Sequence, residues 1–420
     1  MRGSHLRAQA LDIVSAGLAA IKTRQVVKER VQFAGDILTI DKQTFRLDSA
    51  GRLLVVAIGK CANEASRALE EILGERLDGG IAIDLYCDES LRKIKSCQGD
   101  HPFPTERNID ATGQLIATLN GLSDRDLVVA VISGGGSTLL CQPNNFTCVE
   151  EAELLQHLFK EGATIGEINT VRKHLSLARG GHLARYAYPA MVVGLIFSDI
   201  PGNDLSLVAS GPTFLDTSTK SEAAEVLNRY HKGQTNQLST DNLLETPKEK
   251  KYFSRVNNFL AVSNLTALRA MAAVAETNNF SATICDLCLA GEARIVGQNL
   301  VAQIMQQPPR TAFLYGGETT VKISGAGQGG RNQELALAAL PAILENTLLI
   351  SLASDGQDNS DHAGAICDII TKRNAEKLNL KSELFLAENN SYEFFRQTSD
   401  YLSTGPTGAN VSDLLLVLKK

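Results

Sequence analysis

A lysine and a run of small residues stand where a phosphate would need them. In the segment 55–62 (Val-Val-Ala-Ile-Gly-Lys-Cys-Ala), Gly59-Lys60 closes a predicted strand just ahead of a helix. Open α/β sheets hold their ligands outside the carboxyl ends of the strands, so Lys60 there can neutralise phosphate as a mobile point charge. The plainer reading is a helix-start lysine in water. Ser133-Gly134-Gly135-Gly136-Ser137 follows the apolar segment 126–132. Successive glycines leave backbone N–H groups bare, and a helix N-terminus behind them would add aimed donors, a combination that suits an anion. The alternative is an ordinary strand-to-helix turn. No Gly-Lys-Ser/Thr follows, so the loop is not a Walker A motif. Neither Ser133 nor Ser137 sits in a Gly-x-Ser-x-Gly elbow, although His101 and His174 are available as bases.

Carboxylates gather at other predicted strand ends. After the strand 191–197, Asp199 and Asp204 could ligate Mg²⁺, which takes one or two carboxylates with phosphate oxygens and water. Asp and Asn also favour turns for their own local hydrogen bonds. Ser210-Gly211-Pro212-Thr213 forms a second small-residue loop. Further on, Gly325, Gly327 and Gly330 spell a formal Gly-x-Gly-x-x-Gly. A dinucleotide reading is weakened because 319–323 reads as a hairpin strand and no acidic residue clearly ends the next strand. Arg331 instead stands where a guanidinium could clamp a transferring phosphoryl group, with Gly329, Gly330 and Asn332 beside it to cradle phosphate. Asp355, Asp358 and Asp361 suit metal or hydroxyl binding, or make a solvated acidic loop. Cys285 and Cys288 have ligand-like spacing without a second pair, which favours structural thiols over a metal site.

These residues need a frame, and the apolar pattern supplies one. Strand-like runs at 52–58, 80–86, 126–132 and 191–197 alternate with helical patterns at 62–73, 106–119, 148–161 and 165–186, the rhythm of a mostly parallel sheet. A helical pattern at 6–26 precedes them. Residues 232–255 lose the rhythm and read as a surface loop or linker. Strands at 258–263, 282–289, 312–315, 319–323, 347–353 and 414–418, with helices at 265–276, 293–306 and 332–344, predict a second α/β domain. The expected division is 1–240, a linker at 241–257, and 258–420, with 258–307 free to pack on either domain.

Composition narrows the class. A chain of 420 residues predicts two domains, and its 44% apolar content with 11 prolines argues against disorder. With 41 basic and 47 acidic residues the net charge of -6 gives no basic field for nucleic acid. The apolar runs are under half of the ~20 residues a membrane helix needs. Eight scattered cysteines and no apolar leader point to reduced thiols and a cytoplasmic setting.

Taken in order, Gly59-Lys60, Gly99-Asp-His-Pro102, Ser133-Gly-Gly-Gly-Ser137, Asn169-Thr-Val-Arg-Lys-His-Leu-Ser176, Ser210-Gly-Pro212, Gly329-Gly-Arg-Asn332, Ser354-Asp-Gly356 and Thr404-Gly-Pro-Thr407 resemble the class II glycerate 2-kinases, whose C-terminal part is the MOFRL domain. The resemblance implies two α/β domains, the N-terminal one Rossmann-like, with the active site in the cleft between them. It implies phosphorylation of D-glycerate to 2-phosphoglycerate by ATP with Mg²⁺. Lys60 and Arg331 would be the catalytic cations and Asp199 the metal ligand or base, with Asp204 as a second ligand. Ser133, Gly134, Gly135, Gly136 and Ser137 would hold nucleotide phosphates with Gly329, Gly330 and Asn332, while Arg172 and Asp355 would contact substrate. Two positions depart from the family pattern: Asn203 stands where an aspartate is usual, and Asn359 where a glycine is. Rival readings are an NAD(P)H-dependent hydroxypyruvate or tartronate-type reductase using Gly325–Gly330, and a non-catalytic sensor of a phosphorylated metabolite.

Overall fold

The computed structural model describes residues 2–200, 202, 204–230 and 240–420. The chain forms two compact units. One is built from Thr23–Ser198 and Asp204–Ala261, the other from Met1–Lys22, Asp199–Asn203 and Val262–Lys420.

The first unit is organised by a six-stranded sheet in the order Ile94–Gln98, Gly79–Asp84, Leu53–Ile58, Leu127–Ser133, Met191–Phe197, Val256–Val262. In chain order this is 3-2-1-4-5-6, and the four pairings among the first five strands are parallel. Leu53–Ile58 and Leu127–Ser133 are buried at every residue, which explains their unbroken apolar runs. Helices Ala62–Leu73 and Glu106–Leu119 match the expected spans. The latter opens with a capping box in which Thr105 and Asn108 satisfy each other's backbone donors. Leu115, Leu119 and Leu183 pack with Val56 and Val128 in one apolar core. A small antiparallel sheet, Val31–Ala34, Ile37–Ile40 and Gln43–Arg46, was not legible in the sequence because each strand has only four residues.

Three helices are shorter than the pattern predicts. The segment 165–186 forms Ile165–His174 and His182–Ala187, because Gly180 and Gly181 between them take φ of 58° and 88°, outside the right-handed helix. The segment 6–26 divides into Arg2–Ala20 and Thr23–Arg30. The segment 332–344 is α-helical only over Arg331–Ala339; the Leu340–Ala342 turn that follows carries Pro341.

In the second unit the sheet order is Ser281–Leu289, Thr311–Gly317, Asp413–Lys419, Thr347–Ala353, Gly364–Asp368, Tyr401–Leu402. Only its first pair is parallel, so this sheet is mostly antiparallel. The C-terminal strand lies between Thr311–Gly317 and Thr347–Ala353, at the sheet's centre. The expected strand at 319–323 is absent: Thr320 makes one isolated bridge with Glu292. The N-terminal helix packs here as well, on helix Asn264–Thr277. Arg7 ties it down, its guanidinium donating to Asp368 at 2.7 and 2.6 Å and pairing with Asp400 at 2.7 Å.

The predicted linker partly falls outside the described residues, at 231–239. From 240 to 255 the chain carries only the 3₁₀ turns Thr240–Asn242 and Lys250–Phe253, after which Val256–Val262 joins the first sheet. No described helix is long and apolar enough to cross a membrane, and all eight cysteines are free thiols.

Asp126 pins the start of the two central strands. Its carboxylate accepts from Arg52 N and Ser123 N, both at 2.7 Å, and from the Arg52 guanidinium at 2.9 Å. Burial pushes its pKa up, but these donors outweigh it and bring the value from 3.8 to about 2. A depressed carboxylate stabilises the fold above the unfolded value and loses that contribution as pH falls through the folded one. Asp126→Asn should therefore cost about 2 kcal/mol at neutral pH in urea unfolding, with the gap to wild type closing between about pH 4 and pH 2.

Candidate active site

The strand order of the first unit reverses between Leu53–Ile58 and Leu127–Ser133. The carboxyl ends at such a reversal are where open α/β sheets receive ligands. Gly59-Lys60 follows the first of these strands, and Ser133–Ser137 closes and follows the second. Lys60 N donates to Gly134 O at 3.0 Å. The Lys60 side chain then crosses Gly135: a Cβ there would meet Lys60 Cγ at 3.1 Å and His101 Cδ2 at 3.6 Å. A long cation is thus laid against a bare glycine backbone, as a phosphate cradle requires.

The serines of this loop have internal tasks. Ser133 is 2% exposed, and its hydroxyl donates to Ile58 O at 3.1 Å and accepts from Cys61 N at 3.4 Å. Ser210 Oγ donates to Asn169 Oδ1 at 3.0 Å, so Ser137 Oγ, 3.0 Å away, is left to donate to Ser210. His174 serves neither serine: it is fully buried, its ring nitrogens on Leu244 O at 2.7 Å and Ser218 Oγ at 3.2 Å. The helix expected behind the loop is a single turn, Gly136–Leu139, so the dipole it adds there is small.

Arg172 projects from helix Ile165–His174 and touches Asn169 Oδ1 at 3.4 Å. Burial pushes its pKa down to about 10, with neighbouring Arg179 adding to the fall. Asp204 caps the Leu205–Ser210 turn, accepting from Ser206 N at 3.0 Å and Ser206 Oγ at 2.6 Å. Asn203 lies outside the described residues.

The second unit gathers its charged groups around Arg331. The guanidinium donates to Asp413 at 2.5 and 3.0 Å and pairs with Glu318 at 3.0 Å. Neither carboxylate is among the residues singled out from the sequence: Asp413 lies just ahead of the expected strand 414–418, and Glu318 just ahead of the expected strand 319–323. Glu318 keeps 43% of its side chain exposed, yet desolvation by the groups packed around it pushes it up to about 7; Arg331 opposes the shift, while Asp413, Asp199 and Asp355 reinforce it. Burial raises Asp413 too, against the pull of Arg331. Asp199 is oriented by Asn410 Nδ2 donating to Oδ2 at 3.3 Å and by Ser412 Oγ donating to its carbonyl at 2.6 Å. Asp355 Oδ1 accepts from Gln357 N at 3.0 Å. Among the described residues no three His, Cys, Asp or Glu form a metal cage. Mg²⁺ needs only one or two carboxylates besides phosphate and water, so Asp199 could hold it without such a cage.

Two expectations for this unit are corrected. Asp358 is buried, and its carboxylate accepts from Asn332 N at 3.1 Å and Gln333 N at 2.8 Å. It therefore caps helix Arg331–Ala339, and the helix start expected to hold phosphate is occupied from within. Asn332 is 1% exposed, bonded to Asp358 Oδ1 at 3.2 Å and Ser351 Oγ at 2.5 Å, so its side chain is engaged within the fold and braces this cap. The glycine run is packed in the same way. A Cβ on Gly325 or Gly327 would strike Glu388 or Asn390, and one on Gly329 or Gly330 would strike Ser391 or Asp358. These glycines let the segment lie against its own fold, which removes the argument for an open dinucleotide loop. Asn359, with φ of 52°, accounts for its own departure: asparagine tolerates the left-handed region where glycine is usual.

The chain matches the family model "Domain of unknown function (DUF4147)" over residues 9–245 and the MOFRL family over residues 311–413. It is 34% identical to a D-glycerate 2-kinase of Thermotoga maritima, over 98% of both chains. The chain belongs to the class II glycerate 2-kinase family. A second member, a glycerate 2-kinase of Pyrococcus horikoshii, is 34% identical over 98% of this chain and 97% of its own. A crystal structure of glycerate kinase from Thermotoga maritima has the same fold, with a TM-score of 0.87 at 32% identity, covering 99% of this chain and 100% of that one. These matches span nearly the whole chain, and so both units.

Gly59 makes the Lys60 approach possible, since its φ is 112° and a Cβ would lie 2.6 Å from Ser133 O and 2.8 Å from Gly134 O. Gly59→Ala should destabilise the protein by about 1–3 kcal/mol, read from the urea midpoint. A wild-type midpoint would mean that these strand ends yield without strain.

Proposed function

We propose that this protein transfers the γ-phosphoryl group of ATP to D-glycerate, giving 2-phosphoglycerate and ADP. The observation that carries the reading is Lys60 laid across Gly135 where the sheet order reverses. The kinship with D-glycerate 2-kinases supports it. The packed glycines at 325–330 favour it over an NAD(P)H-dependent reductase, which would need that loop open.

In this reading Lys60 and the Gly134–Gly136 backbone hold the ATP phosphates, and Arg331 offsets charge that develops on the transferred group. Asp413 fixes the Arg331 guanidinium in plane and leaves it charged at every working pH. Glu318, with a pKa near 7, takes the proton of the attacking glycerate hydroxyl as its oxygen bonds to phosphorus and the bond to ADP breaks. Asp199 would hold Mg²⁺, whose contribution is to neutralise phosphate oxygens, and Asp355 would accept a hydrogen bond from a substrate hydroxyl. Arg172 would meet the acid's carboxylate. A cytoplasmic setting accords with the eight free thiols.

Purified protein given D-glycerate, ATP and Mg²⁺ should release ADP only when glycerate is present, with 2-phosphoglycerate resolved as product. NADH or NADPH oxidation with hydroxypyruvate and no ADP would overturn the assignment. Arg331→Ala and Lys60→Ala should each lower turnover by more than about tenfold, as loss of a charge clamp does in phosphoryl transfer. The ionised Glu318 is the active base, so kcat/KM should rise with pH through about 7, and Glu318→Gln should lower kcat and abolish that limb.

A further inference from the structure

A cavity of about 300 Å³ opens in the first unit beside the Ser133–Ser137 loop. Its wall is mostly apolar, with Phe103 on one side and Leu155 and Phe159 from helix Cys148–Lys160 on the other. Arg172, Arg179 and Glu151 also line it, with the exposed Lys160. Arg179 is 1% exposed and engaged by Glu151, whose other oxygen receives the Cys141 thiol at 3.6 Å. Glu151 is thus committed to Arg179, and Arg172 has Asn169 as its polar neighbour. Two guanidiniums face one carboxylate, and the Nε of Arg179 is buried without a hydrogen-bond partner. The inner part of the cavity therefore holds one positive charge in excess within apolar walls, while Lys160 is exposed to solvent, which screens its charge.

Such a charge calls for a counter-ion of the same magnitude. A carboxylate carries one negative charge and offers a guanidinium two parallel acceptors, whereas the polyphosphate of a nucleotide would overcompensate. Ser137 also lines the cavity, and the chain Ser137–Ser210–Asn169–Arg172 connects it by hydrogen bonds to the proposed phosphate loop. Resting on the kinase reading above, we propose that this cavity is the acceptor subsite. It takes a 2-hydroxy acid with its carboxylate on Arg172, and its apolar wall admits acids bulkier than glycerate. A three-carbon polyol acid leaves much of this volume unfilled and makes little use of Phe103, Leu155 and Phe159. The structure thus assigns the protein a wider acceptor range, toward 2-hydroxy acids with an aromatic or branched side chain.

The test is steady-state kinetics of the full chain with ATP and Mg²⁺, using D-glycerate and 3-phenyllactate as acceptors, beside calorimetric titration of D-glycerate without ATP. Wild type should phosphorylate both acids. Arg172→Gln should raise KM for either acid more than tenfold and weaken the calorimetric affinity to match, with kcat and KM for ATP within about twofold of wild type; Arg172→Lys should recover part of the loss. Phe159 is 71% exposed, so Phe159→Glu carries little folding risk; its negative charge at the cavity should raise KM for both acids at least threefold. Wild-type KM values for glycerate in Arg172→Gln and Phe159→Glu overturn the subsite, and glycerate turnover without phenyllactate turnover overturns the wider range. A wild-type protein that releases no ADP with either acid refutes the kinase reading itself, a result distinct from the other two.

Discussion

The Ser133 hydroxyl, donating to Ile58 O at 3.1 Å and receiving Cys61 N at 3.4 Å, ties together the ends of the two central strands of the first unit. Both strands are buried along their whole length, so their ends are fixed by the core beneath them. The tie requires close approach, and Gly59 with its positive φ permits it. Lys60 follows directly, and its backbone bond to Gly134 O closes the join. Everything proposed about phosphate binding depends on this joint, because it converts two loops distant in sequence into one surface with a cation across it.

The second unit meets a different constraint. Arg331 begins a helix that is buried on nearly all sides, so the helix start has no water to satisfy its N–H groups. Asp358 supplies the carboxylate, at the cost of a pKa pushed up to about 6, chiefly by its burial. Asn332 and Gln333 then hold Asp358, and Glu334 in the next position pairs with Arg294 at 2.7 Å. With its helix so fixed, Arg331 reaches Asp413 on the C-terminal strand and Glu318 beyond strand Thr311–Gly317. One guanidinium among several carboxylates is what holds Glu318 near neutrality: desolvation raises its pKa, and Arg331 limits the rise.

Much of this was readable without coordinates. The spans 62–73, 106–119, 191–197 and 347–353 return unchanged as elements, because long apolar periodicity and clear boundaries leave few alternatives. Lys60, the small-residue loop and Asp199 stand out by position at strand ends, and Arg331 by its place after a glycine run and ahead of a helix. Other features hid for identifiable reasons. Strand Ile94–Gln98 lies at the sheet edge and alternates polar residues, and Gly364–Asp368 is short. Glu318 does not stand out, since nothing local indicates that an arginine thirteen positions on will face it.

The sequence by itself determined the element types, the family and the residues able to do chemistry, because these follow from local spacing and side-chain type. Only the tertiary structure decided what each polar group faces. It gave the Gly325–Gly330 run to packing, Asp358 and Asn332 to a buried helix start, and Ser133 to a strand joint. It left Arg172 in an apolar cavity with more positive charge than negative. Burial and the choice of partner set the charge state of a group, and both come from residues that are distant along the chain.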